Sequence, residues 1–151
     1  MENRIEPGKY IDGWHIGMAQ KEVIASFDQK PRKTGCHLNY KGHFFGFDEN
    51  EKLIYIEVWG KYTGTYLGIG VGSSLKQVSD SIGTPYFDSD NCSIETNGAP
   101  ELRIELAPSK MDTLYELEVT DLEDINHLKG YKLEDLKISK IGIRAPARKT
   151  S

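Results

Sequence analysis

Two hydrophobic rhythms alternate along the chain. Val23 and Phe27, and later Leu75, Val78 and Ile82, stand at helical intervals, the spacing of a single buried stripe. Ser73 or Ser74 is placed to cap the second helix. The stripes stop near Asp28 and Gly83, and Pro31 and Pro85 prevent continuation. Period-two runs follow each helix. The first set is His37–Tyr40, His43–Phe47 across Lys41-Gly42, and Leu53–Trp59. The second is Ser93–Thr96, Glu101–Leu106 across Asn97-Gly98, and Leu114–Val119. Asn-Gly between alternating runs is a strong hairpin signal. Beyond them, Asp121–Leu128 reads as a short helix and Leu136–Ile143 as a final strand.

The two sets share more than rhythm. The stretch from Gly13 to Phe27 is echoed 55 residues later from Gly68 to Ile82, both reading G-x-x-[IV]-G-x-x-x-K-x-V-x-x-S-[FI] without a gap. Cys36 with Gly42 then answers Cys92 with Gly98 at an offset of 56. The expected fold class is α+β: two α-β-β-β repeats forming an antiparallel sheet with helices on one face. Residues 1–151 then make one domain, with repeats at about 10–64 and 65–120 and a C-terminal extension over 121–151.

Alternation assigns the faces of the strands. Ile54, Ile56 and Val58 look inward, as do Leu102, Ile104 and Leu106, and Tyr115, Leu117 and Val119. Cys36, Leu38, Phe45 and Phe47 complete the inward set. The outward face then carries His37, Phe44, Tyr55, Glu57 and Trp59 in one half. The other half carries Glu95, Glu101, Arg103, Glu105, Glu116 and Glu118. Five glutamates beside one arginine repel each other across strands, and exposed Trp, Tyr and Phe beside them have the makeup of an interface hot spot. These eleven residues are the candidate partner-binding set.

Charge sharpens this picture. The 151 residues carry a net charge of −4, which argues against a general nucleic-acid binder. That charge is unevenly spread: residues 1–80 sum to zero, 81–124 to −9 and 125–151 to +5. So large an asymmetry bears on partners and association rates. The basic tail Lys137–Lys149 is expected to be a frayed terminus, or alternatively to pack against the acidic segment. Two cysteines, no apolar membrane-spanning run and no apolar leader in Met1–Pro7 point to a cytoplasmic protein without a membrane role.

Familiar site chemistries fit poorly. Gly68-Ile69-Gly70-Val71-Gly72 matches neither a dinucleotide fingerprint nor a Walker loop, and the turn leading into the helix explains its glycines. Cys36, His37 and His43 lack the spacing of a zinc site, and Cys36 is read as a buried, inert thiol. The pairs Glu101/Glu105 and Glu116/Glu118 would serve as glycosidase carboxylates only beside a deep cleft. No catalytic residue, metal or cofactor is expected. A small enzyme or ligand-binding domain with a pocket around His37 is the alternative reading.

The segments Gly17-Met18-Ala19-Gln20-Lys21-Glu22-Val23 and Gly72-Ser73-Ser74-Leu75-Lys76-Gln77-Val78, the second closed by Gly83-Thr84-Pro85, carry a resemblance. They resemble the repeats of beta-lactamase inhibitory protein and of the small outer-membrane assembly lipoproteins, over roughly residues 10–119. The resemblance implies a helix preceding an antiparallel sheet whose open face grips another protein. The design is similar to that of bacterial immunity proteins of contact-dependent inhibition systems. The expected function is therefore a non-enzymatic, immunity-type inhibitor that covers the active-site cleft of a basic, nuclease-like toxin domain. Its partner is a basic protein.

Overall fold

The structure, a computed structural model, describes residues 4–147; Met1–Asn3 and the Arg148-Lys149 end of the basic tail lie outside the described residues. The chain is α+β, with two antiparallel sheets. Strands β1 (Ile5–Glu6), β2 (Tyr10–Ile11) and β3 (Trp14–His15) form the smaller one. Helix α1 (Gln20–Ala25) leads into β4 (Arg32–Thr34), β5 (His37–Tyr40), β6 (His43–Phe47) and β7 (Leu53–Trp59). Helix α2 (Leu75–Ser81) leads into β8 (Pro85–Asp88), β9 (Ser93–Thr96) and β10 (Leu102–Glu105). Helix α3 (Pro108–Glu116), a 3-10 turn at Leu122–Ile125 and β11 (Lys140–Arg144) complete the chain. The larger sheet runs β4-β5-β6-β7-β11-β10-β9-β8.

Both helices sit where the period-3.6 stripe puts them, but they begin differently. Ser74 caps α2 in a reciprocal box with Gln77, whereas α1 starts at Ala19 without a side-chain cap. Backbone docking anchors both. Gly17 donates to Leu53 O (2.7 Å), Leu53 to Met18 O (2.8 Å) and Gln20 to Glu51 O (2.9 Å). In the other half Gly72 donates to Ile138 O (2.8 Å), Ile138 to Ser73 O (2.8 Å) and Leu75 to Leu136 O (2.9 Å). Gly17 and Gly72 have φ of +95° and +94°, a conformation that a side chain would oppose.

The core lies on one face of the large sheet. Leu38, Phe45, Ile56, Ile143 and Leu102 follow one another across strands. Val23, Leu75, Val78 and Leu114 from the three helices join the same fully buried cluster. Each such side chain contributes about 1.5–3 kcal/mol through burial. The sheet's two edges are treated differently. Phe87 N on β8 donates to Thr120 O (2.9 Å), while β4 is exposed throughout and carries Arg32 and Lys33, charges that discourage further strand pairing. Among the described residues no helix is long and apolar enough to cross a membrane.

Four expectations need correction. Leu114–Val119 is not a strand: Pro108 at the helix start and the Met111/Leu114 spacing make Pro108–Glu116 helical, leaving Tyr115 and Leu117 exposed rather than inward. Ile54 is 39% exposed, because a register shift between Gly46 and Phe47 pairs Phe47 with Leu53. Cys36 and Cys92 are both exposed free thiols, since each falls in the turn before its strand. Finally, the basic tail is not frayed over Lys140–Arg144, which instead forms a central strand of the sheet.

Candidate functional site

The outward face of the large sheet is built around β11. Its Gly142 stands opposite Glu57 on one side and Arg103 on the other; Lys140 stands opposite Trp59 and Glu105, and Arg144 opposite Tyr55. The tail's cations are therefore delivered among the predicted glutamates. Glu57 lies 4.0 Å from both Arg103 Nη1 and Lys140 Nζ and accepts the hydroxyl of Tyr55. Glu95 is paired directly with Arg144 and accepts the Ser93 hydroxyl at 2.7 Å. Burial, and after it contact with Glu57, raises the Glu105 carboxyl to about 7. Burial, with Glu57 second, also raises the Tyr55 phenol.

This face is less open than alternation implies. Glu57 is only 7% exposed, Glu95 2% and Ser93 is buried. The turn from Asp88 to Cys92 folds over Ser93 and Glu95, and Arg103 clamps it by donating to the carbonyls of Asn91 (2.6 Å) and Cys92 (3.4 Å). Lys140 and Arg103 also lie over the rings of Trp59 (5.4 Å) and Tyr55 (5.7 Å). Two of the predicted face's acids, Glu57 and Glu95, are thus compensated by cations of the same chain.

The structure brings together Tyr55, Glu57, Trp59, Arg103, Glu105 and, through Arg144, Glu95. Phe44 lies beside them, its ring 6.0 Å from Tyr55. His37 is exposed on β5 with its ring 4.8 Å from Phe44. Glu101 precedes β10; its carbonyl accepts from Arg144 N (2.9 Å). Glu116 and Glu118 are not on the sheet at all. Glu116 ends α3, and Glu118 follows it with φ of +53°.

Sequence reasoning missed the surface on which those two glutamates stand. The chain leaves α3 in a knuckle that exposes Tyr115 by 60% and Leu117 by 49%. A cavity of about 320 Å³ lies on one side, lined by Ser89, Tyr115 and Glu118 among others. Another of about 450 Å³, lined in part by Leu117, Asp124 and His127, lies on the other. Asp112, Glu116, Glu118, Glu123 and Asp124 are exposed here, and among the described residues none of them forms an ion pair. The signal available was Pro108 at a helix start, which turns an apparent Tyr115/Leu117/Val119 strand alternation into a helix end. Among the described residues no group of three or more His, Cys, Asp or Glu side chains is arranged to hold a metal ion.

No family model matches the chain, and no curated protein sequence does. Among solved structures it is similar to the uncharacterized protein yfeY from Escherichia coli, at 14% identity and a TM-score of 0.49, over 95% of this chain and 97% of that one.

Proposed function

We propose that this chain is a non-enzymatic protein-binding inhibitor of the immunity type, which neutralises a basic, nuclease-like toxin domain by covering its active-site cleft. The observation that carries this reading is the knuckle after α3: exposed Tyr115 and Leu117 framed by exposed Glu116, Glu118, Glu123 and Asp124, which form no ion pair among the described residues. Large side chains at the centre of a contact supply most of its affinity. Unpaired like charges around them accelerate encounter with a cationic surface and reject acidic competitors.

The sheet is the scaffold of this surface, and we read it as two copies of one unit. The matched hydrogen bonds of Gly17 and Gly72 support that reading, as does a strand order that reads outward from β7 and β11 in the same sequence of hairpins. In this reading the last strand of the second unit is β11, and Leu106–Ser139 is an insertion that carries the knuckle. Such a scaffold resembles the repeats of beta-lactamase inhibitory protein, but here Glu57 and Glu95 of the open face are engaged with cations of their own chain.

The test is capture of a partner by the wild-type chain and by two variants, one carrying Glu116→Lys, Glu118→Lys and Asp124→Lys, the other Tyr115→Ser and Leu117→Ser. The expected partner is a basic protein whose nucleic-acid cleavage stops on binding. Charge reversal should slow association about tenfold or more at low salt. The serine variant should raise dissociation by a similar factor. Undiminished binding by both variants would overturn the proposal.

A further inference from the structure

We propose that a cavity on the outer face of the large sheet is a binding site for a small oxyanion, a carboxylate or phosphate group, held between Arg103 and Arg144. The cavity has a volume of about 350 Å³ and is lined by Tyr55, Asp90, Asn91, Arg103 and Arg144. It shares no lining residue with the knuckle's cavities, although Ser89 and Asp90 of one turn line one each, and it does not depend on the protein-binding reading.

Arg103 has no carboxylate within hydrogen-bond distance among the described residues. Its nearest carboxylate oxygen, on Glu57, is 4.0 Å away, and that carboxylate is already bound by the Tyr55 hydroxyl and shared with Lys140. The direct partners of the guanidinium are neutral: Tyr55 Oη at 3.2 Å, the Asn91 carbonyl at 2.6 Å and the Cys92 carbonyl at 3.4 Å. Its buried Nε has no hydrogen-bond partner among the described residues. Glu105 and Glu57 act on this half-buried guanidinium only from a distance, so its hydrogen bonds go to neutral acceptors and leave one N–H unmet.

A second guanidinium reaches the same cavity from the adjacent strand. Arg144 donates from Nε and Nη2 to the Pro100 carbonyl (3.1 and 2.7 Å), and from Nη2 to Glu95. Its Nη1 takes part in none of these bonds. Two planar forks on neighbouring strands match the paired oxygens of a carboxylate or phosphate. Gly142 contributes by having no side chain: a Cβ there would lie 2.8 Å from Ile56 O and 2.9 Å from Tyr55 Oη. The phenol can therefore rest over β11 and hold its hydroxyl between Glu57 and Arg103. Asp90 also lines the cavity and its charge opposes an anion there, so the site suits a single small anionic group and not a long polyanion.

The test is an NMR titration of the full chain, following the arginine Nε–Hε resonances. Sodium phosphate and sodium acetate are added separately, with sodium chloride of equal ionic strength as reference. Saturable shifts centred on Arg103 and Arg144 are expected with at least one oxyanion at millimolar concentration, and none with chloride. Response to phosphate alone marks a phosphate site, to acetate alone a carboxylate site, and to both a general oxyanion site. Arg103→Gln should weaken binding tenfold or more. Because Arg103 also clamps the Asp88–Cys92 turn, Tyr55→Phe and Arg144→Gln are measured beside it, each expected to weaken binding severalfold. Shifts that never saturate, that centre on other cations, or that survive all three substitutions would overturn the proposal. The lysine variants of the knuckle should bind the anion as the wild type does, so failure here and failure of the protein-binding reading are separable.

Discussion

The half-sheet β4–β7 and the half-sheet β8–β11 dock their helices through the same set of backbone hydrogen bonds, yet their outer faces have opposite characters. The first presents His37, Phe44, Tyr55 and Trp59, side chains that need no counter-charge, and its one outward carboxylate, Glu57, stands on β7 beside β11. The second presents Glu95, Arg103, Glu105 and Arg144, is crossed by the Asp88–Cys92 turn, and holds Glu95 at 2% exposure. Backbone geometry does not decide which face is wet. Buried charge does: a carboxylate can be taken from water only if a cation and hydrogen-bond donors are delivered to it. Strand β11, the strand of the second half that pairs with β7, makes that delivery with Lys140 and Arg144.

The largest expected effect breaks this pairing. Arg144→Ala leaves the buried Glu95 without its cation and should cost about 3–5 kcal/mol in urea denaturation, as for other broken buried pairs. Asn39→Ala on the aromatic half should cost less than about 1 kcal/mol. Equal losses would show that the two faces do not differ in the way their charges imply.

An intermediate effect separates two outward glycines. A Cβ at Gly142 would meet backbone Ile56 O at 2.8 Å, whereas at Gly46 its nearest contact is Tyr55 Cβ at 3.4 Å. Gly142→Ala should therefore destabilise by about 1–3 kcal/mol through overpacking. Gly46→Ala should be milder, and equal thermal shifts for the two would contradict the special fit over β11.

The smallest effect is a pH dependence. The Glu105 carboxyl is raised from 4.5 to about 7, so between those values the folded chain binds a proton that the unfolded chain has released. Its contribution to stability is full below about 4.5 and is lost as the pH rises through about 7. Glu105→Gln should flatten the stability profile across that window by about 1 kcal/mol, after allowing for the half-exposed position of the side chain. An unchanged slope in denaturation series from pH 4 to 8 would show that Glu105 titrates as an ordinary carboxylate.

Much of the fold was legible because its signals are local. The stripe Leu75/Val78 with Ser74 before it specifies a capped helix wherever it lies, and the alternation of Leu102, Ile104 and their neighbours specifies a strand. Two readings failed where local signals compete. Tyr115, Leu117 and Val119 alternate like a strand, but Pro108 and the Met111/Leu114 spacing place the preceding residues in a helix, and the alternation straddles its end. Ile54 fits the alternation of β7, yet a bulge opposite Gly46 shifts the register and turns Leu53 inward instead.

The sequence by itself determined helices α1 and α2 and the strands β5 to β7 and β9 to β11, the alternation of most of their faces, and the surplus of negative charge over residues 81–124. Each depends on neighbours a few positions apart, where period and chirality act directly. Only the tertiary structure decided which of those acids remain available to a partner. That outcome rests on β11 crossing the length of the second half to pair with β7 and β10, which brings Lys140 and Arg144 to Glu57, Glu105 and Glu95. Coulombic compensation depends on distance in space, and distance along the chain carries little of that information. The knuckle after α3 gathers Asp112, Glu116, Glu118, Glu123 and Asp124, all exposed and without an ion pair among the described residues, where the strand-pairing cations do not reach.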